Sequence, residues 1–364
     1  MYDVIIVGGG QAGLTAGFML QQQKLKYLIL DAGSEVGNSW RKRFSSLHLF
    51  TPNRLNRLAG LGTPTSDKEY MNKDEFADYL AQYAELNKLA IELNTRVRRV
   101  KRIERQFELL VESGGVTRIL SSRQVILATG AFSSPLIPSF ASRVPRRIHQ
   151  FTANDLADFT SENKNVLIVG DGASGRQIAR QFAAENRVIL ACGKPRHLIP
   201  PKVLGVDVFS ILDRLGILSL SAKTWLGKRI KERDPFPNTG IDLSELARLG
   251  IELKPKLAGF GQTAEFTDGS QFMPHVIVWA LGYRNNFDWV EIDQALVDGR
   301  LYNDKGQTSV PGLYTLSQPW QNDRRSALIC GAKSDMERLM PTIIEYHAST
   351  AELATNWPIE CECS

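Results

Sequence analysis

One uncommon turn occurs twice in this chain, about half its length apart. Tyr2 to Gly13 reads YDVIIVGGGQAG, and Asn165 to Gly175 reads NVLIVGDGASG. Each is a short run that is apolar throughout rather than alternating, the pattern of a parallel strand buried on both faces. Each then opens into a glycine-spaced turn, Gly8-x-Gly10-x-x-Gly13 and Gly170-x-Gly172-x-x-Gly175. A helical stretch follows in both cases, QAGLTAGFMLQQQK or ASGRQIARQFAAEN, and then a second strand, YLILD or RVILAC. Two such strand–helix–strand units limit the chain to an α/β architecture with parallel sheets.

The spacing has a chemical reason. The first glycine permits the sharp turn, the second lets the backbone approach a pyrophosphate, and the third lets helix pack on strand. The phosphates then lie against a helix N-terminus, whose N–H groups and dipole favour anions. An acid closing the second strand accepts hydrogen bonds from ribose hydroxyls, and Asp31 stands there in the first unit. Gln11 and Ala12 line that turn, and Ala32 follows the acid. In the second unit Ala173 and Ser174 line the turn, but no acid closes the strand. GKPRH follows instead, with Lys194 and Arg196. Cations there suit a 2′-phosphate, and one charge-assisted hydrogen bond to it is worth roughly 1.5–3 kcal/mol, about 10- to 100-fold in affinity. Two turns thus imply two dinucleotides exchanging a hydride: FAD at the first, and NADPH, with NADH as the alternative, at the second.

Late in the chain PGLYTLSQPW reads as a strand and DMERLMPTIIEYHASTAELA as a closing helix kinked at Pro341, with no third glycine turn. We therefore expect two Rossmann-like domains, the second inserted into the first. The FAD domain would comprise 1–150 and 285–364, and the NAD(P)H domain 151–284 with a helical segment near 203–232. KDEFADYLAQYAEL predicts an amphipathic helix, TANDLADF opens another, and RVRRVKRIER predicts a half-exposed strand with its cations in water.

Composition narrows the partners. Apolar residues make up 43% and charged residues 23%, which is globular, and a net charge of +5 is too small for a nucleic-acid footprint. No apolar run approaches the ~20 residues of a membrane span. VDVFSILDRLGIL, apolar with spaced charges, suits a lid or packing helix, or a peripheral membrane contact. Four cysteines, none in a C-x-x-C, exclude a secreted disulfide framework, and CECS reads as a frayed tail. The first strand begins at Tyr2, so we expect no signal peptide and a cytoplasmic protein. No metal-spaced His/Cys cluster is present, and a homodimer is compatible with the sequence.

DAGSEVGNSW followed by SSLHLFTP resembles the flavin-binding stretch of flavin-containing monooxygenases and their bacterial, plant (YUCCA-type) and Baeyer-Villiger relatives, through Asp31, Gly37, Trp40, Leu47, Leu49, Thr51 and Pro52. LATGAFSSPLIP resembles that family's turn between modules, through Ala128, Thr129 and Gly130, and VWALGYR the second such turn, through Leu281, Gly282 and Tyr283. PGLYTLSQPW…RRSALICGA resembles its C-terminal flavin-side segment. The resemblance implies FAD contacts from Trp40, His48, Thr51, Val97, Trp320, Gln321 and Ser326. It also implies oxygenation of a small sulfur, nitrogen or ketone substrate by dioxygen through a flavin C4a-hydroperoxide, with no catalytic side chain. The family's fingerprint F-x-G-x-x-x-H-x-x-x-[YF] is only partly matched: Phe140 and His149 are present with longer spacing and no glycine. A reductase passing electrons to a quinone or a protein, and a low-turnover flavin-binding regulator, are the alternatives.

Overall fold

The computed structural model describes residues 1–62, 69–157, 159–297 and 299–355. Among them, two parallel-centred sheets carry the α/β fold. In the first, the strand Tyr2–Val7 lies between Tyr27–Leu30 and Val116–Leu127, parallel to both. All four residues of Tyr27–Leu30 are buried, as are Val4 to Val7, which accounts for their unbroken apolar sequence. Thr95–Ile103 and Gln106–Ser113 join Val116–Leu127 as an antiparallel meander. The basic run sits on the first of these and exposes Arg96 and Arg98, the latter paired with Glu112 (2.7 Å), while Arg99 and Arg102 are half-buried.

The second sheet is parallel throughout, in the order Glu252–Lys254, Arg187–Ala191, Asn165–Val169, Val276–Trp279, His149–Thr152. The chain then returns: Leu313–Thr315 pairs in parallel with Val125–Leu127 of the first sheet. The boundary expected at residue 150 thus falls inside a strand of the second sheet. Before it, Ala141, Val144 and Ile148 already belong to that sheet's core. The two crossings between sheets pair with one another, Ser134–Pro135 against Tyr283–Arg284.

Helices Gln11–Gln22, Lys73–Leu86 and Gly331–Thr355 cover one face of the first sheet over a core including Val4, Ile6, Leu14, Phe76, Leu80 and Met336. Lys73–Leu86 begins at a capping box, with Asn72 accepting from the Asp74 and Glu75 N–H groups while Glu75 bonds back to Asn72 N–H. The closing helix runs through Pro341. One expectation fails locally, whereas the helical segment expected near 203–232 is present. The described residues of TANDLADF form no helix, because Asp155 Oδ1 turns back to accept from Thr152 N–H (2.6 Å) and Thr152 Oγ1 (3.0 Å), fixing a turn. The 203–232 segment opens with a short hairpin, Lys202–Val203 against Val206–Asp207, before helices Val208–Arg214 and Trp225–Arg233. Cys361 and Cys363 lie outside the described residues.

Candidate cofactor site

The two glycine turns have nearly the same geometry. Gly8 has φ +109° and Gly170 φ +108°, and a Cβ at either would sit 2.5 Å from a carbonyl oxygen of the neighbouring strand's end, Ala128 or Ala280. A Cβ at Gly13 or Gly175 would collide with the carbonyl of Gly8 or Gly170. The middle glycines differ in kind: a Cβ at Gly10 or Gly172 would meet nothing within 4 Å. First and third glycines are therefore demanded by packing, and the second keeps an open approach to the backbone. Gly10 and Gly172 are also the N-caps of their helices, and neither helix has a side-chain cap. Their first N–H groups, at Gln11 and Ala12 or at Ala173 and Ser174, thus present an uncapped anion site.

Beside the first turn, Asp31 accepts from Gly9 N–H (2.6 Å) and Gly33 N–H (2.7 Å). Ala128 to Gly130 close the adjacent strand, with Gly130 at φ +76° and open space where its Cβ would stand. The returning segment after Leu313–Thr315 holds polar atoms that are buried with no hydrogen-bond partner: Ser317 Oγ, Gln318 Nε2, Gln321 Nε2, Asn322 Oδ1 and Asp335 Oδ2. A folded chain rarely leaves so many donors and acceptors unmet in one place unless a ligand completes them. A cavity of about 410 Å³, lined in part by Arg284, Asn285, Thr315 and Gln318, opens beside them. Burial pushes the Asp335 carboxyl up to about 6, against hydrogen bonds from Asn322 (2.8 Å) and Ser326 (3.1 Å).

The other expected FAD contacts divide. Thr51 is buried with its hydroxyl on Asn56 Oδ1 (2.6 Å), and Ser326 spends its hydroxyl on Asn322 N–H, Asp323 N–H and Asp335. Thr51 bonds within its own loop, and Ser326 ties its loop to Asp335 of the closing helix. Trp40 packs edge-on against Phe76 at 4.8 Å. His48 is exposed, and its Nδ1 lies 3.1 Å from Ser46 O. Val97 sits half-buried at a bulge of its strand, and Trp320, at φ +60°, lies under the Arg324 guanidinium. At the second turn Lys194 is exposed and Arg196 half-buried, while Leu281 and Gly282 are exposed beside Tyr283.

Three features were missed in the sequence. Phe44, from the first unit's loop, is fully buried in the second sheet's core against residues such as Ile168 and Phe182. Nearby, Ser46 bonds Gln181 (2.7 Å), and Arg43 donates to the Tyr283 hydroxyl (2.8 Å), which donates to Asn154 (3.0 Å). The third is a buried pair, Asp171 and Arg176, at the second turn. Only the first has a sequence signal, an aromatic in a polar loop.

The fold is mixed α/β with two matching glycine turns, and similarity to known proteins identifies its family. The sequence profile of the pyridine nucleotide-disulphide oxidoreductases matches residues 5–197, and the chain belongs to that family. It is 34% identical to a CzcO-like oxidoreductase of Geobacillus kaustophilus over 94% of this chain and 99% of that one. It is 26% identical to indole-3-pyruvate monooxygenase YUCCA4 of Oryza sativa over 78% and 74% of the two chains. Its fold superposes on the flavin-containing monooxygenase of Stenotrophomonas maltophilia with a TM-score of 0.75 and 25% identity, covering 95% of this chain and 98% of that one. The protein is thus an oxidoreductase of the flavin-monooxygenase-like group. The family's disulphide chemistry has no pair of thiols here among the described residues: Cys192 and Cys330 are both free, and burial pushes their thiols up to about 11 and about 12. No helix among the described residues is long and apolar enough to cross a membrane.

Proposed function

We propose that the chain is an FAD-dependent, NADPH-consuming monooxygenase acting on a small sulfur, nitrogen or ketone substrate, built from two Rossmann-like domains with the NADPH domain inserted into the FAD domain. The observation that carries this reading is the pair of glycine turns with matching geometry and open middle glycines. Gly8, Gly10 and Gly13, with the Gln11 and Ala12 N–H groups, would hold the FAD pyrophosphate, and Asp31 its ribose. Ala128 to Gly130 and the unmet groups of Ser317, Gln318 and Gln321 would face the rest of the FAD. Gly170, Gly172, Ala173, Ser174 and Gly175 would hold the NADPH pyrophosphate, with Lys194 and Arg196 at its 2′-phosphate and Leu281 to Tyr283 along its path.

The flavin, when bound, supplies hydride acceptance and activation of dioxygen. The protein's part is orientation and exclusion of water. Phe44 buried in the second sheet's core, Ser46 on Gln181 and Arg43 on Tyr283 tie the flavin side to the nicotinamide side. These ties would keep the two turns, and whatever each holds, in one fixed relation.

The test is stoichiometric. The flavin-loaded protein is given NADPH, and oxygen uptake and hydrogen peroxide release are measured with panels of sulfides, amines and ketones. A monooxygenase takes up oxygen with little peroxide release and one oxygenated product per NADPH. Full release of peroxide with every substrate, together with fast reduction of quinones, would establish a reductase in its place.

A further inference from the structure

The two turns share a path but differ in the charge of their middle residue. In the first, Gly9 donates its N–H to Asp31 Oδ2 (2.6 Å), bracing the turn to the end of the second strand 22 residues on. In the second, Gly193, just past the corresponding strand, donates its N–H to Asp171 Oδ1 (2.9 Å), again across 22 residues. It is the same brace with carboxylate and N–H exchanged. Cys192 follows its strand as Asp31 follows its own, and its thiol is held neutral, pushed up first by burial and then by the Asp171 charge.

A carboxylate in a phosphate-binding turn would repel the ligand unless its charge were answered. Asp171 is 3% exposed, and its second oxygen lies 3.3 Å from Arg176 Nη2. Arg176 is 2% exposed, donates Nε to Asp171 O (2.9 Å) and Nη1 to Ile241 O (3.1 Å), and lies over the Phe236 ring. The pair cancels internally. Beside the pair lies half-buried Arg196, whose Nε is buried 3.9 Å from Asp171 Oδ1 with no hydrogen-bond partner.

We infer that Asp171 is the specificity-positioning residue of the second site. It braces the 193–196 turn and holds Arg196 over the ribose 2′ position, so selection of a 2′-phosphorylated dinucleotide depends on a buried carboxylate that does not itself touch the phosphate. Moving the carboxylate from strand end to turn keeps the brace while clearing the 2′ position of negative charge. The inference rests on the second turn being a dinucleotide site.

The test is titration calorimetry of the full-length, flavin-loaded protein with NADP⁺ and, separately, NAD⁺. In Asp171→Asn, NADP⁺ affinity should fall about tenfold or more, the loss of one charge-assisted phosphate bond, with NAD⁺ held within about twofold. Because Asp171 acts through Arg196, Asp171→Asn/Arg196→Ala should bind NADP⁺ no more weakly than Arg196→Ala alone. Additive losses, or equal weakening of both dinucleotides, would overturn the inference and leave Asp171 as a shaper of the turn. If Asp171→Asn does not fold because Arg176 is left unpaired, Asp171→Asn/Arg176→Gln removes both charges and reads the same ratio. A wild type that binds both dinucleotides equally overturns the inference alone. A wild type that keeps flavin but binds neither overturns the site reading beneath it as well.

Discussion

Replacing Asp335 with Asn tests how the C-terminal segment is built, and its size follows from the structure. Asp335 is fully buried, with one oxygen on Asn322 and Ser326 and the other without a partner. Burial dominates over those hydrogen bonds and pushes the carboxyl up to about 6. An unfolded Asp titrates near 3.9, so the shift is about 2 units, or about 3 kcal/mol at about 1.4 kcal/mol per unit. For an acid raised by folding, the native state binds more protons than the unfolded state between these two values. Stability contributed by this group is therefore fully present below about pH 4, falls as pH rises, and is lost once pH passes about 6. Asn at 335 does not titrate. The assay is urea unfolding of wild type and Asp335→Asn at intervals from pH 4 to 8, taking the difference so that other carboxylates cancel. Wild type should lose about 2–3 kcal/mol relative to the variant between pH 4 and 7, with little further change above. A difference that stays flat across that range would refute the reasoning.

Other outcomes follow from the same geometry. Gly13→Ala should leave the protein without flavin, read as loss of its yellow absorbance, whereas Gly175→Ala should keep the flavin and lose its bleaching by NADPH, since each Cβ collides with its own turn's carbonyl. A bleached, wild-type-like Gly175→Ala protein would remove the second turn from dinucleotide binding. Phe44→Ala should lower stability by about 3–5 kcal/mol, the cost of emptying a buried aromatic site, and a thermal midpoint within a degree of wild type would contradict its burial in the second core. Cys192→Ser and Cys330→Ser, singly and together, should leave the rate of flavin reduction by NADPH within about twofold of wild type, because both thiols remain protonated near neutral pH. A large loss in either would bring thiol chemistry back.

The parts of this protein legible in its sequence are those governed by local rules. Steric demand at Gly8 and Gly13 acts within one turn, so the glycine spacing announced both turns, and the unbroken apolar strands announced burial on both faces. The helix Lys73–Leu86 was legible for the same reason, its period and its acidic first turn lying in adjacent residues. TANDLADF misled because Asp155 favours closing a turn on Thr152 over capping a helix, a local choice between two hydrogen bonds that propensity does not decide. What the tertiary structure alone decided involves residues distant in the chain or charges whose partners are remote. Phe44 belongs by sequence to one unit and by packing to the other, because the core it fills is completed by strands more than a hundred residues later. Asp171 reads as an acid out of place in a phosphate-binding turn. Only the fold brings Gly193 against it and buries its pair with nearby Arg176, since the energy of a buried charge is set by what surrounds it rather than by what precedes it.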